Sequence, residues 1–319
     1  MLKYVILIIG FVLLIKGADF FVDGSAAVAK KFKVPSMIIG LTIVAMGTSA
    51  PECAVSVMAS IKGSNAIAIS NVVGSNIFNL IVVCGICALM QPLTVHLDTI
   101  KKEFPFSILV GVLLMVMCLD PLYGGSDYLL GRADGIILVV LFAGFIVYMV
   151  KSALKARKNS SDIEEDDEIK EMSTIKCLVY IVGGAAAIVI GGDLVVDRAT
   201  EIARVCGLSE TLIGLTIVAL GPSLPELVTS IVAAKKGQVD MAVGNVIGSN
   251  IFNILLVLGL ASSISPMIVE YNAIIDMILL TVQSLIVYLF VIKNKELRRP
   301  HGIIMLIMYG AYLVYICMR

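Results

Sequence analysis

The sequence predicts an all-α integral membrane protein with ten transmembrane helices, arranged as two inverted-topology repeats of five helices with broken helices at the midplane. Composition gives the first indication. The chain of 319 residues is 59% hydrophobic and 15% charged, with a mean hydropathy of +1.01, whereas soluble domains have about 45–50% apolar and about 25% charged residues. Apolar stretches of bilayer-spanning length recur along most of the chain. The formal net charge is zero, which by itself says nothing about nucleic acid, and no nucleic-acid partner is expected.

An internal repeat is the second indication. Residues 40–80 and 214–254 agree at 23 of 41 positions without a gap, at a constant offset of 174. The same offset relates four upstream carboxylates, namely Asp19, Asp23, Asp193 and Asp197. Self-similarity at a fixed offset indicates two homologous halves.

The halves are residues 1–150 and 177–319, joined by the hydrophilic linker 151–176. The predicted helices are 3–22, 37–60, 66–90, 104–120 and 133–150, then 177–197, 211–234, 240–262, 272–292 and 301–318. Because five is odd, the second half enters the membrane from the opposite side. We interpret the N-terminal segment as a retained helix rather than a signal peptide, since its counterpart in the second half is internal.

Basic residues give the orientation. Seventeen Lys and Arg fall in one set of loops and six in the other. The positive-inside rule therefore predicts that both termini are extracellular and that the linker is cytoplasmic, in a plasma membrane. The acidic run 162–171 of the linker lacks the glycine spacing of a calcium loop, so a solvated tether is the favoured interpretation over a cation sensor.

Each repeat has a polar interruption within an apolar span, GTSAPE at 47–52 and GPSLPE at 221–226. Proline inside a helix removes a hydrogen-bond donor and leaves carbonyl groups free, and free carbonyls at membrane depth are tolerated only where they line a cavity. Glu52 and Glu226 follow directly. A carboxylate at the bilayer centre costs at least about 2.5–3.5 kcal/mol, so a duplicated pair beside broken helices indicates a transport site.

The second motif, GSNIFN at 74–79 and 248–253, adds polar oxygens. Ser75 and Asn79 are four residues apart and share a helix face, as do Ser249 and Asn253. Asn71 and Asn245 extend those faces by one turn, and Gly74 and Gly248 suit close helix packing.

These candidates offer only oxygen ligands, which suit hard cations such as Ca²⁺ and Na⁺. Two carboxylates would balance one divalent or two monovalent ions. Because two neighbouring carboxylates repel each other, protons are expected to compete with the metal. The seven cysteines are interpreted mostly as buried thiols, and the only histidines, His96 and His301, give little material for zinc or histidine catalysis.

The paired motifs resemble the α-repeats of the calcium/cation antiporter superfamily, specifically the prokaryotic sodium/calcium exchangers. This resemblance covers all ten helices. It implies that Glu52 and Glu226 are shared calcium and sodium ligands, and that the remaining ligands are Ser49, Ser75, Asn79, Ser223, Ser249 and Asn253, with carbonyl groups of Ala45, Thr48 and Ala219. It also implies electrogenic exchange of three sodium ions for one calcium ion, by sliding of the first and sixth helices over a fixed core.

Two residues depart from the family pattern. Pro222 stands where the family has Thr in both halves, so the hydroxyl of Thr48 has no counterpart, although the carbonyl of Pro222 remains a potential ligand. Asn253 stands where potassium-dependent relatives have Asp, which makes potassium co-transport less favoured. The four duplicated aspartates fit either a rim of the ion passage or ordinary charges near helix ends, and the sequence favours neither.

The leading hypothesis is thus an antiporter that exchanges Ca²⁺ for Na⁺ by alternating access, not an enzyme. It needs the lipid bilayer, the two ions as substrates and no cofactor, and it is expected to act as a monomer. A proton-coupled calcium antiporter is the alternative, although that subfamily tends to place His beside its acidic residue. A passive channel is less favoured because the duplicated site lies within one chain, and a membrane enzyme would need a nucleophile–base pair.

Overall fold

The computed structural model describes residues 2–119, 128–158, 172–208, 213, 217 and 219–318, most of them helical. The helices are α1 (Leu2–Phe32), α2 (Ser36–Thr48), α3 (Ala50–Ile61), α4 (Asn65–Met90), α5 (Phe104–Met117), α6 (Arg132–Lys158), α7 (Thr174–Val205), α8 (Leu224–Lys235), α9 (Val239–Ile264), α10 (Tyr271–Asn294) and α11 (Arg299–Met318). The acidic run of the linker lies outside the described residues, as do positions 211, 212, 214–216 and 218 at the start of the predicted helix 211–234.

Seven of the described helices are long and apolar enough to cross a membrane, or eight if α2 and α3 form one bent span. The multi-pass prediction is thereby confirmed for most of the chain. Helices α4 and α9 lie at the centre, because 83% and 94% of the 18-residue apolar segment in each helix is buried inside the protein. The corresponding values for α1, α6 and α7 are 33%, 22% and 28%, so these helices face outward, where lipid would cover them.

The first polar interruption breaks a helix, as predicted. Helices α2 and α3 meet at 49°, and the break lies at Ser49, whose φ of −84° and ψ of 8° are not helical. Pro51 lies in the first turn of α3 rather than in a helix interior, a position where its missing N–H has no helical partner to lose. The second polar interruption, at 221–226, has the same arrangement. Ser223 precedes α8, and Pro225 lies in the first turn of that helix.

Helices α4 and α9 each contain a π-helical turn, at Phe78–Val83 and Asn253–Leu258. Further π-helical turns occur at Gly40–Val44 in α2 and at Thr99–Glu103 before α5. A π turn inserts one extra residue into the helix and shifts the faces on either side of it. Hydrophobic periodicity gave no sign of these turns.

Helices α1 and α7 are longer than the predicted 3–22 and 177–197, and they pack antiparallel along most of their length. The extension of α1 is rich in small side chains, and Ser25, Ala26, Ala27 and Ala29 are buried within it. The duplicated aspartates therefore lie inside α1 and α7, and the expectation that they fall near helix ends is wrong.

Two short antiparallel ladders connect the halves. Strand β1 (Leu93–Thr94) pairs with β4 (Glu296–Leu297), and β2 (Leu129–Leu130) pairs with β3 (Met267–Ile268). Each ladder joins one strand from the first half to one from the second, so the two halves are interlocked.

Candidate functional site

Glu52 and Glu226 occupy the first turns of α3 and α8, and both are fully buried. Each helix starts at the break that its own motif causes. The first turn presents backbone N–H groups and the positive end of the helix dipole, which favours a carboxylate there. Within the described part of the chain, no lysine or arginine forms an ion pair with either glutamate.

Two serines each donate a hydrogen bond to the glutamate of the opposite half. The Ser49 hydroxyl donates to Glu226 Oε1 at 2.7 Å, and the Ser223 hydroxyl donates to Glu52 Oε1 at 3.2 Å. Both serines are the residues at the helix breaks. Motifs that are 174 residues apart in sequence thereby form one buried polar cluster.

Helices α4 and α9 contribute the remaining predicted side chains, and Ser249 of α9 contacts the cluster directly. The Ser249 hydroxyl lies 3.5 Å from Glu226 Oε1, and Asn253 Nδ2 donates to Asn76 Oδ1 at 3.1 Å. Ser75 and Asn79, the counterparts in α4, are likewise buried. Asn79 and Asn253 both lie within the π-helical turns, so the added residue in each helix sets the direction of these side chains.

Asn71 of α4 and Asn245 of α9 form hydrogen bonds with α3 and α8, the helices that follow the breaks. Asn71 Nδ2 donates to the Ser56 hydroxyl at 2.9 Å, and Asn245 Nδ2 donates to the Ser230 hydroxyl at 3.0 Å. Thr48 Oγ1 lies 3.1 Å from Asn245 Oδ1. Proline at 222 has no hydroxyl to repeat that contact with Asn71, so the departure noted in the sequence removes a hydrogen bond from one half.

Several buried side-chain oxygens of the predicted ligands make no hydrogen bond in the part of the chain that the structure describes. Those without a hydrogen-bond partner in the described residues are Glu52 Oε2, Glu226 Oε2, Ser75 Oγ, Asn79 Oδ1 and Asn253 Oδ1. Unpaired polar atoms are costly in a protein interior and call for a specific explanation. The donor set contains carboxylate, amide and hydroxyl oxygens and neither sulfur nor imidazole, which fits a hard cation.

The backbone candidates are less uniform. Ala45 is buried and its carbonyl accepts the Ser49 N–H at 3.0 Å, so that oxygen is not released by the break. Ala219 is exposed and Pro222 is half-buried. The structure thus joins the hydroxyl groups of Ser49, Ser223 and Ser249 directly to the two glutamates, whereas the backbone candidates differ in burial and in hydrogen bonding.

Sequence reasoning missed the pair Asn76 and Asn250. Each side-chain amide donates to the backbone carbonyl of the other residue at 3.2 Å, which ties α4 to α9 at the centre of the molecule. The two positions are equivalent in the repeat, and that duplication was the available signal.

Known proteins match this chain over nearly its full length. The family described as "Sodium/calcium exchanger protein" matches residues 2–151 and 176–318. The putative antiporter CaxA of Alkalimonas amylolytica is 39% identical over 97% of this chain and 96% of its own. The sodium/calcium exchanger MaX1 of Methanosarcina acetivorans is 36% identical over 98% and 97%.

A solved structure agrees as well. The sodium-calcium exchanger NCX_Mj, soaked with 2.5 mM Na⁺ and 1 mM Sr²⁺, superposes with a TM-score of 0.84 at 33% identity and covers 98% of both chains. With the sequence match across both halves, this agreement means that the chain belongs to the sodium/calcium exchanger family of membrane antiporters.

Proposed function

We propose that this protein is a secondary antiporter that exchanges Ca²⁺ for Na⁺ across the plasma membrane by alternating access. One observation is decisive for the proposal: two buried carboxylates, one from each half, share a cluster whose oxygens include several without a hydrogen-bond partner among the described residues. The family, and the names of MaX1 and NCX_Mj as exchangers of these two ions, support the same substrates.

In this proposal Glu52 and Glu226 are the ligands that calcium and sodium compete for. The side chains of Ser49, Ser75, Asn79, Ser223, Ser249 and Asn253 complete the site, with carbonyl oxygens of Ala45, Thr48, Ala219 and Pro222 as further ligands. Two carboxylates neutralise one calcium ion, whereas three sodium ions exceed their charge by one. An exchange of three sodium ions for one calcium ion is therefore expected to move net charge and to respond to membrane potential.

The architecture proposed for this function has ten crossings in two inverted repeats, both termini outside, the linker 151–176 inside, and one chain as the working unit. Inverted repeats can exchange conformations, so a single set of ligands opens to one side and then to the other. This arrangement favours a carrier over a channel.

The test is calcium uptake by proteoliposomes loaded with Na⁺ and diluted into Na⁺-free buffer that contains radioactive calcium. Wild-type protein should take up calcium only when sodium is inside. Glu52→Gln and Glu226→Gln should each reduce uptake to the level of empty liposomes, because each change removes a charge that the bound ions need while preserving side-chain size.

Glu103→Gln is the matched control. Glu103 is also buried, but it lies in the π turn before α5, away from the cluster, so its variant should keep sodium-driven uptake. Uptake that follows an imposed proton gradient and ignores sodium would assign the protein to the proton-coupled alternative. Normal uptake by both cluster variants would refute the assigned site.

A further inference from the structure

Lys236 connects α8 to α1 through two carboxylates. It follows the last residue of α8, and its Nζ lies 2.6 Å from Asp23 Oδ1 and 3.5 Å from Asp19 Oδ1, and it also donates to the Asp19 carbonyl at 3.0 Å. The three side chains are only 31%, 41% and 29% exposed, respectively. Lys16, one turn earlier in α1, reaches the other oxygen of Asp19 at 3.4 Å.

The internal repeat defines an equivalent group of residues. An offset of 174 relates Lys236 to Lys62, and the two aspartates of α1 to Asp193 and Asp197 of α7. In the described part of the chain, no ion pair joins Lys62 to either aspartate, and all three residues are exposed. The same set of charges is therefore assembled in one place and separated in the other.

Helix packing shows the same asymmetry. Helix α1 packs closely along α8, whereas the equivalent pair, α7 and α3, makes at most marginal contact. One side of the molecule therefore has a helix contact with an ion pair at its end, and the pseudo-symmetric side lacks both within the described residues.

We propose that Lys236, Asp19 and Asp23 form an ionic latch that keeps one side of the carrier closed, and that Lys62, Asp193 and Asp197 form the corresponding latch when the carrier faces the other way. The inference rests on the proposed alternating-access function. Inverted repeats that exchange conformations must exchange their closing contacts, so one latch has to open before the other can form. On the proposed orientation, the Lys236 latch closes the cytoplasmic side.

Breaking the first latch should therefore populate the state in which the second group comes together. A half-buried ion pair is worth up to about 1 kcal/mol, so its loss should raise a minor opposite-facing population about two- to fivefold. The reporter is the pair Lys62→Cys and Asp197→Cys, bridged in membranes by a short bis-methanethiosulfonate reagent. Adding Lys236→Gln or Asp23→Asn should raise the yield of the bridged product by that factor.

Lys235→Gln is the matched control, because it removes the same charge one residue earlier. Lys235 is exposed and forms no ion pair in the described residues, so its variant should leave the yield unchanged. Exchanging the charges, with Lys236→Asp and Asp23→Lys together, should return the yield toward that of the parent. Parents with only one of the two reporter cysteines reveal bridges to native cysteines, and elution as a single species verifies folding.

An unchanged yield in folded Lys236→Gln protein would overturn the latch, as would an equal rise in the Lys235→Gln control. The readout requires no transport. A failure of sodium-driven uptake in the wild type would therefore contradict the proposed function while leaving the coupling of the two groups measurable.

Discussion

The hydroxyl groups of Ser49 and Ser223 each donate to the glutamate of the opposite half, so neither half forms the carboxylate environment alone. Each serine also marks a helix break. These side chains therefore orient the carboxylates, and in the proposed site their hydroxyl oxygens would also be ligands of the bound ion.

Ser49→Ala should raise the calcium concentration for half-maximal sodium-driven uptake about tenfold. A hydrogen bond to a charged group is worth about 1.5–3 kcal/mol, and its loss also frees Glu226 to rotate away from the ion. Concentration-dependent uptake in proteoliposomes measures the shift. Ser60→Ala is the control, since Ser60 is also buried but donates to the Ala261 carbonyl outside the cluster. Equal shifts in the two variants would argue against a role for Ser49 in ion binding.

The predicted side chains of this cluster could be found from sequence because they are polar, duplicated and embedded in apolar segments. Their neighbours Asn76 and Asn250 satisfy the same criteria, but each side-chain amide donates to the backbone carbonyl of the other residue across the interface between halves. A pairing of that kind depends on how α4 and α9 cross. The hydrogen bond of the Thr48 hydroxyl was equally hard to predict, because its partner Asn245 is in the other half.

At the scale of the element, the antiparallel pair α1 and α7 depends on glycines at the helix contact. A Cβ atom added at Gly191 would lie 2.5 Å from the Leu14 backbone nitrogen and 2.8 Å from the Gly10 carbonyl oxygen. One added at Gly17 would lie 2.8 Å from the Ile188 nitrogen. The two backbones therefore approach as closely as glycine allows, as is common where membrane helices pack.

Gly191→Ala should destabilise the protein by about 1–3 kcal/mol, because backbone atoms of α1 would have to move away. Thermal unfolding in detergent should show a lower Tm. Gly183→Ala in the same helix is the control: a Cβ atom there meets nothing within 4 Å, and alanine favours the helix by up to about 1 kcal/mol. A Tm for Gly191→Ala at or above that of the control would disprove the close-packing argument.

Helix boundaries were the less predictable part of the elements. Hydropathy ends the first helix near residue 22 because charged residues follow, yet α1 continues to Phe32 since its small residues are buried. The π-helical turns were inaccessible to sequence periodicity for another reason. Their extra residue is accommodated by packing of α4 and α9 against α8, α2 and each other, and not by local preference.

At the scale of the whole molecule, the two halves are interlocked rather than merely adjacent. Both β ladders join a strand of one half to a strand of the other, and α1 packs with α7 across the same divide. The repeat in the sequence predicted two related halves. How they combine follows from the cross-half contacts, which no alignment of one half on the other contains.

The proposed orientation of the molecule in the membrane predicts which cysteines an impermeant reagent can reach. If the linker is cytoplasmic, α7 starts inside at Thr174 and ends outside near Val205, and the C-terminal end of α11 is also outside. Native Cys206 and Cys317 are both exposed in the structure, so a membrane-impermeant maleimide added to intact cells should label them. A cysteine introduced by Lys155→Cys, on the exposed end of α6, should react only after the membrane is permeabilised.

The Cys206→Ser and Cys317→Ser variants identify the labelled sites. Labelling of position 155 in intact cells, with protection of both native cysteines, would mean that the chain has the opposite orientation and that the excess of basic residues does not set it.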